Sequence, residues 1–308
     1  MPTAPMRDHH SPRDADRILA QRLEAGVLLL DGATGTELER FGVDCSLPLW
    51  SARAMLEAPN VLEQIHREYV EAGVDCITAN TFRTQPHVLR HAGLEARAPH
   101  LSARAIEIAR AAASARPDVL IAGSAAPLED CYRPERVPAI ETLEREHAKH
   151  CGALAAGGAD FILIETIGTV RELRVVSQAA AATGLPFLVS LIGGPAGATL
   201  LSGEPVEAAV EAISKDPPVA LLINCVPPSQ LDQWWPALAK TRLPFGVYPN
   251  LGTPGTPPGA ARSEDLSPDA FACRALRWVE QGARVIGGCC GTRPAHIRAA
   301  IRAVKKLS

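Results

Sequence analysis

Val285-Ile286-Gly287-Gly288-Cys289-Cys290-Gly291-Thr292 is an apolar run that stops at two glycines, two adjacent cysteines and a third glycine. Successive residues of a strand point to opposite faces, so neighbouring thiols serve one site only where the backbone kinks. Flanking glycines permit the kink, because they lack a Cβ and tolerate positive φ. A third thiol ends another apolar run, Leu221-Leu222-Ile223-Asn224-Cys225. Three thiolates at the ends of two strands suit a zinc ion with its fourth position open. The plain alternative is a set of buried, inert cysteines. A glycine-flanked pair matched by a cysteine at an equivalent strand end favours the metal.

The rest of the chain repeats this pattern of apolar run and polar end. Runs at 27–30, 74–79, 119–123, 161–164, 187–189, 219–223, 245–247 and 285–286 alternate with segments of helical periodicity. Helices are expected at 14–25, 59–72 (closed by Gly73), 101–115, 141–156, 171–182, 206–213, 231–240, 268–281 and 296–306. The Gly- and Pro-rich stretch 252–259 reads as a loop. Runs buried on both faces suit a parallel sheet. The expected fold is therefore α/β, a single-domain (β/α)8 TIM barrel over residues 26–308, preceded by a tail and short helix over 1–25. A doubly wound open sheet is the alternative. The polar residues favour the barrel. Asp31, Asn80, Ser124, Glu165, Ser190, Cys225, Asn250 and Cys289 all follow their runs, and the carboxyl ends of barrel strands converge on one mouth.

Composition narrows the function classes. The chain has 308 residues, 47% of them hydrophobic and 21% charged, which suits a globular protein with a large core. A formal charge of −3 without a long basic block argues against a nucleic-acid partner. No apolar run is long enough for a membrane span, and the N-terminus has no apolar core of a signal peptide. Eight cysteines in a chain this long do not make a disulfide scaffold. The expected compartment is the cytoplasm, with a disordered tail over 1–12.

A metal held by three thiolates is a poor generator of hydroxide and a good host for a further soft thiol. A thiol that joins it loses its proton and becomes nucleophilic at neutral pH. Alkyl transfer to sulfur is the chemistry that follows, and it requires no acid–base pair from the protein. Asp31 and Glu165 could serve as acid and base, but holding a substrate ammonium is the simpler role beside such a metal. Their plain alternatives are a turn or helix cap for Asp31 and an ion pair with a rim arginine for Glu165. The loop Asp31-Gly32-Ala33-Thr34-Gly35-Thr36 lacks the lysine of a phosphate cradle, and it can present backbone N–H groups to a carboxylate.

Together these pieces resemble the homocysteine S-methyltransferase family, a zinc-dependent barrel shared with betaine–homocysteine methyltransferase. The matching stretches are Asp31-Gly32-Ala33-Thr34-Gly35-Thr36-Glu37-Leu38, Asn80-Thr81-Phe82, Glu165-Thr166, Asn224-Cys225, Tyr248-Pro249-Asn250 and Gly287-Gly288-Cys289-Cys290-Gly291-Thr292, then Pro294 and His296-Ile297. They stand in family order over about residues 26–305. The resemblance implies Zn2+ on Cys225, Cys289 and Cys290, with homocysteine sulfur in the open position. It implies Asp31 and Glu165 on the substrate ammonium, and amides of Gly32, Ala33 and Thr34 on its carboxylate. Asn80 and Thr81 would line the same mouth. Trp50, Tyr248 and Asn250 would stand on the donor side, where an aromatic face suits a sulfonium or quaternary ammonium. Ordinary packing is the alternative for Trp50.

The chain departs from the family pattern after the third strand. Gly123-Ser124-Ala125-Ala126-Pro127-Leu128-Glu129-Asp130-Cys131-Tyr132 replaces a long Gly- and Tyr-rich insert. The donor therefore stays open between S-methylmethionine, S-adenosylmethionine, betaine and a separate corrinoid protein. The acceptor stays open between homocysteine, a selenol and another thiol. The chain leaves no room for a folate or cobalamin domain of its own. A zinc- or thiol-binding sensor or subunit is the non-enzyme alternative.

Overall fold

A computed structural model describes residues 12–194, 197–251 and 266–306. The loop expected at 252–259 and residues 1–11 of the tail lie outside the described residues. Eight strands form one parallel sheet: β1 (Leu28–Leu29), β2 (Cys76–Ala79), β3 (Leu120–Ala125), β4 (Phe161–Ile167), β5 (Phe187–Ile192), β6 (Leu221–Asn224), β7 (Phe245–Tyr248) and β8 (Val285–Ile286). Their order, β1-β8-β7-β6-β5-β4-β3-β2, runs around a barrel. The expected (β/α)8 fold stands and the open sheet is set aside.

The seam between β1 and β2 is closed by two carboxylates. Asp75 N–H donates to the Leu29 carbonyl at 2.8 Å, and the Asp75 carboxylate accepts from Leu29 N–H at 2.9 Å. The Asp31 carboxylate accepts from Thr78 N–H at 2.8 Å and Thr78 Oγ1 at 2.9 Å. Side chains thus replace the missing ladder, because a strand as short as β1 cannot supply enough backbone groups.

Alternate residues divide into two cores. Leu28, Leu30, Cys76, Leu120, Ala122, Phe161, Leu163, Leu188, Leu222 and Val285 pack inside the barrel. Their sequence neighbours Leu29, Ile77, Ile121, Ile162, Ile164, Val189, Leu221 and Ile223 pack outward against the helices. This is why the strands read as unbroken apolar runs. Helix α1 (Pro12–Ala25) puts Leu19 and Leu23, one turn apart, into the inner core.

The other helices in chain order are α2 (Gly35–Arg40), α3 (Ala54–Glu57), α4 (Pro59–Ala72), α5 (Pro86–Arg90), α6 (Ala98–Ala112), α7 (Ile140–Ala156), α8 (Val170–Ala181), α9 (Val206–Ala212), α10 (Trp235–Leu238), α11 (Pro268–Glu280) and α12 (Pro294–Val304). Helix α4 shows the local logic. Pro59 starts it, Leu62, Ile65, His66, Tyr69 and Val70 make its buried stripe, and Gly73 ends it at φ 102°. No helix among the described residues is long and apolar enough to cross a membrane.

Two expectations need correction. The helix expected at 231–240 is instead a 3-10 helix over Pro228–Trp234 followed by α10. Pro236 lacks the N–H a continuous helix would need there. Strands β3, β4 and β5 also run past the expected ends, so Ser124, Glu165 and Ser190 are strand residues. The period of two then turns them inward. Thr78, Ser124, Glu165, Ser190, Asn224 and Tyr248 continue the inward-facing positions as one polar layer above the apolar core.

Gly246 meets β8 so closely that an added Cβ would drive into the Val285 carbonyl and side chain. Gly246→Ala is expected to destabilise the fold by about 1–3 kcal/mol, as overpacking does. Thermal unfolding checks this, and an unchanged midpoint would contradict it.

Candidate metal centre and barrel mouth

The three thiols meet although their strands are not neighbours. β7 lies between β6 and β8, so the two strand ends stand about 9–10 Å apart. Cys225 crosses part of that gap by turning left-handed, at φ 55°. Its Sγ lies 2.8 Å from Cys289 Sγ, and the Sγ atoms of Cys225, Cys289 and Cys290 all lie within 4.8 Å of one another. The segment after β7 staples both sides. Asn250 N–H donates to the Val226 carbonyl at 3.0 Å, Cys289 N–H to the Pro249 carbonyl at 2.8 Å, and Leu251 N–H to the Cys290 carbonyl at 2.8 Å.

The glycines act by closeness more than by positive φ. A Cβ on Gly287 would lie 2.8 Å from Leu30 Cβ, and one on Gly288 would overlap the Thr292 side chain. Of the three glycines around the pair, Gly291 is the one in the left-handed region, at φ 85°. The conformational freedom expected at Gly287 and Gly288 is thus spent at Gly291 instead.

Cys225 is held from below. Asn224 Oδ1 accepts from Thr166 N–H at 3.1 Å and Ser190 Oγ at 2.8 Å, and its Nδ2 donates to Thr166 Oγ1 at 2.8 Å. Thr166, at φ 62°, is itself left-handed. Non-glycine residues keep such backbone only where surrounding contacts over-determine it, and such positions cluster at functional sites. Mutual hydrogen bonding with Cys289 and Cys290, then burial, hold the Cys225 thiol well above its ordinary pKa. Cys225 donates to Cys289 and favours its thiolate, but Cys290 and burial outweigh this and raise it too.

The sulfur triangle opens on a cavity of about 430 Å³ at the carboxyl ends of the strands. Asp31, Gly32, Ala33, Thr34, Trp50, Asn80, Glu165, Tyr248 and Asn250, all expected at a site, line it. Asp31 and Glu165 are 4% and 8% exposed, and burial pushes each carboxyl up to about 7. Glu165 accepts from Ser124 Oγ and, at 3.4 Å, from Tyr248 Oη. It makes no ion pair with an arginine among the described residues, and Asp31 is a seam residue rather than a helix cap.

Other residues sit differently from expectation. Thr81 does not reach the cavity wall; its hydroxyl donates to the Ser124 carbonyl at 2.9 Å and accepts from Ser124 N–H at 2.8 Å. Ala33 N–H is committed to Thr292 Oγ1 at 3.2 Å, which leaves Gly32 and Thr34 as the open amides of that loop. Gly32 itself is required, since a Cβ there would lie 2.7 Å from Tyr69 Oη. Asn80 Nδ2 donates to the Ser51 carbonyl at 2.7 Å and so fixes the turn that carries Trp50.

The aromatic wall is larger than the sequence suggests. Trp50, at φ 46°, packs edge-on against Phe82, with centroids 5.4 Å apart. The short loop after β3 folds into the cavity and adds Asp130, Cys131 and Tyr132. Tyr132 Oη donates to Cys225 Sγ at 3.6 Å. Phe82 lies beside Asn80 in a quoted motif and could have been found there, whereas no spacing pointed to Tyr132.

Asn224→Ala removes partners from a buried N–H and two buried hydroxyls, a loss of about 1–3 kcal/mol for each left unsatisfied. By loosening the left-handed Thr166 and Cys225 it should also lower metal affinity about 10–100-fold. Competition with a chromophoric chelator reads this, and unchanged affinity would contradict the positioning role.

A family model described as homocysteine S-methyltransferase matches residues 28–304. Homocysteine S-methyltransferase of Escherichia coli K12 is 32% identical over 302 residues, which cover 89% of this chain and 94% of that protein. Homocysteine S-methyltransferase YbgG of Bacillus subtilis is 30% identical, covering 88% and 92%. Selenocysteine Se-methyltransferase of Brassica oleracea is also 30% identical, covering 89% and 88%. The metallated form of the homocysteine methyltransferase MmuM from Escherichia coli superposes with a TM-score of 0.79 at 30% identity, over 93% of this chain and all of that one.

Proposed function

The chain belongs to the homocysteine S-methyltransferase family, and on that premise we propose that it moves a methyl group from a sulfonium donor to homocysteine, giving methionine. S-methylmethionine or S-adenosylmethionine is the donor. The observation that carries this reading is the sulfur triangle opening on a mouth lined by two buried carboxyls and by aromatic side chains. All three sulfurs lie within 4.8 Å of one another, and Cys225 and Cys289, at 2.8 Å, would part by about 1 Å to span the edge of about 3.8 Å between two thiolates on one zinc. An all-sulfur set selects zinc over harder divalent ions. When bound, zinc supplies a Lewis-acidic centre with one open position, at which a thiol loses its proton near neutral pH.

Cys225, Cys289 and Cys290 hold the metal and give up their protons on doing so, which makes affinity rise with pH. Asp31 and Glu165 face the same cavity as paired anions for the acceptor's ammonium. The open amides of Gly32 and Thr34 face its carboxylate. Asn80 fixes the wall through Ser51. Trp50 and Phe82, which line the cavity, offer it an aromatic wall suited to a positive sulfonium through cation–π attraction at a ring face, with Tyr248 and Asn250 completing the floor beside the thiolates. The acceptor thiolate attacks the donor methyl in line. A sulfur–carbon bond forms as the sulfonium–carbon bond breaks, and its electron pair stays on the donor sulfur as a neutral thioether. The acceptor's proton passes to solvent.

A selenol acceptor is the second reading, supported by the likeness to a selenocysteine Se-methyltransferase. The same site would serve it, because selenolates are soft ligands too.

Cys289→Ala is expected to lose bound zinc and turnover together, and a chelator should abolish wild-type turnover until zinc is returned. Methionine formed from homocysteine and each donor, detected by mass spectrometry, checks both; turnover by the zinc-free protein would contradict the mechanism. Acid should act on acceptor binding. Asp31 and Glu165 are carboxylates above about 7 and protonated below it, so the KM for homocysteine should rise as pH falls through that value. The rise should approach about tenfold per unit for each carboxyl that must ionise. Glu165→Gln should raise KM and flatten the profile. A wild-type KM that stays flat from about pH 6 to about pH 8 would contradict this assignment.

A further inference from the structure

A second cluster of metal-ligating side chains stands apart from the sulfur triangle. His87 lies in α5, and His91 follows it by one helical turn. His91 keeps helical backbone, φ −66° and ψ −17°, so the two imidazoles share one face. Their rings stand edge to face with centroids 5.8 Å apart. Glu129 reaches them from the short loop after β3, and its Oε1 lies 2.7 Å from His87 Nε2. One donor atom from each of His87, His91 and Glu129 falls within 4.8 Å of the other two. The His87 Nδ1 atom is buried without a hydrogen-bond partner, while His91 is exposed and leaves an open path for an ion.

We propose that His87, His91 and Glu129 form a second divalent-metal site, which ties the β3 loop to α5. Two imidazoles one turn apart on a helical face plus a carboxylate match the donor set of borderline cations such as Zn2+, Co2+ and Ni2+. The site has neither thiolates nor a place in the methyl-transfer cavity. An imidazole–carboxylate pair alone would need no second imidazole.

The position gives the site a consequence. Glu129 is followed directly by Asp130, Cys131 and Tyr132, which line the mouth. The same loop is already held to α5 by Gln85, whose Nε2 donates to the Ala126 carbonyl at 3.2 Å. A metal at this site adds a cross-link at the other end of that contact and fixes the segment that carries Tyr132 toward Cys225. This inference stands on its own residues and does not need the methyl-transfer reading.

Cobalt titration of chelator-stripped, full-length protein tests it. Equilibrium dialysis counts the metal, and near-ultraviolet absorbance reports thiolate-to-cobalt charge transfer. The wild type is expected to take up about two equivalents per chain, one with the charge-transfer band and one without. His91→Ala, an exposed change, should take up about one and keep the band. Cys289→Ala should lose the band and keep the other equivalent. Hydrogen exchange of residues 126–132 should slow several-fold on filling the second site in the wild type and not in His91→Ala. A wild type that binds a single equivalent, or a His91→Ala variant that binds as many as the wild type, would overturn the site. Exchange indifferent to metal would overturn the cross-link.

Discussion

Everything at the mouth depends on sulfur atoms from non-adjacent strands being pushed together across the end of β7. Relaxed backbone would leave these thiols apart. The left-handed turn at Cys225 supplies one half of the reach, and the tight Gly287–Gly291 passage supplies the other. Both are costly local arrangements, and both are over-determined. Asn224 makes three side-chain hydrogen bonds beneath Cys225, while the residue 249–251 segment bonds to the chain on either side. Three crowded thiols are a poor resting arrangement for a core, since on balance their neighbours and burial leave Cys225 and Cys289 hard to ionise. A divalent cation is what turns the crowding into attraction.

The same register that points apolar residues into the barrel places the chemistry above them. One strand position further along from Leu163 is an outward isoleucine, and two further along is Glu165. The polar layer is therefore a continuation of the core by other residue types, and it rests on a floor that excludes water. That floor is the reason Asp31 and Glu165 titrate near neutrality rather than near 4. Asp31 carries a double load. It closes the barrel seam through Thr78 and presents the remaining lone pairs of its carboxylate to the cavity.

The fold was legible because the strands are buried on both faces and read as apolar runs with one polar residue at the end. The sulfur set was legible because cysteines beside glycine at strand ends have few other uses. What escaped the sequence depended on side-chain reach. Thr81 stands beside Asn80 and Phe82 in a motif, but its hydroxyl turns to the Ser124 backbone. Ala33 offers its N–H to Thr292, far away in the chain. Tyr132 enters the mouth from an irregular loop with no period to betray it. Strand ends slipped for the same reason: Glu165 and Ser190 are polar, and polarity reads as the end of a run even where the ladder continues.

The central claim is that the three sulfurs hold one metal and leave it a place for the acceptor's thiol. X-ray absorption at the zinc edge, on protein carrying a single equivalent of zinc, tests it most directly. The expected result is a zinc coordinated mainly by sulfur with one lighter ligand, which is replaced by a further sulfur when homocysteine is added. A shell dominated by nitrogen and oxygen, or one unchanged by homocysteine, would contradict it.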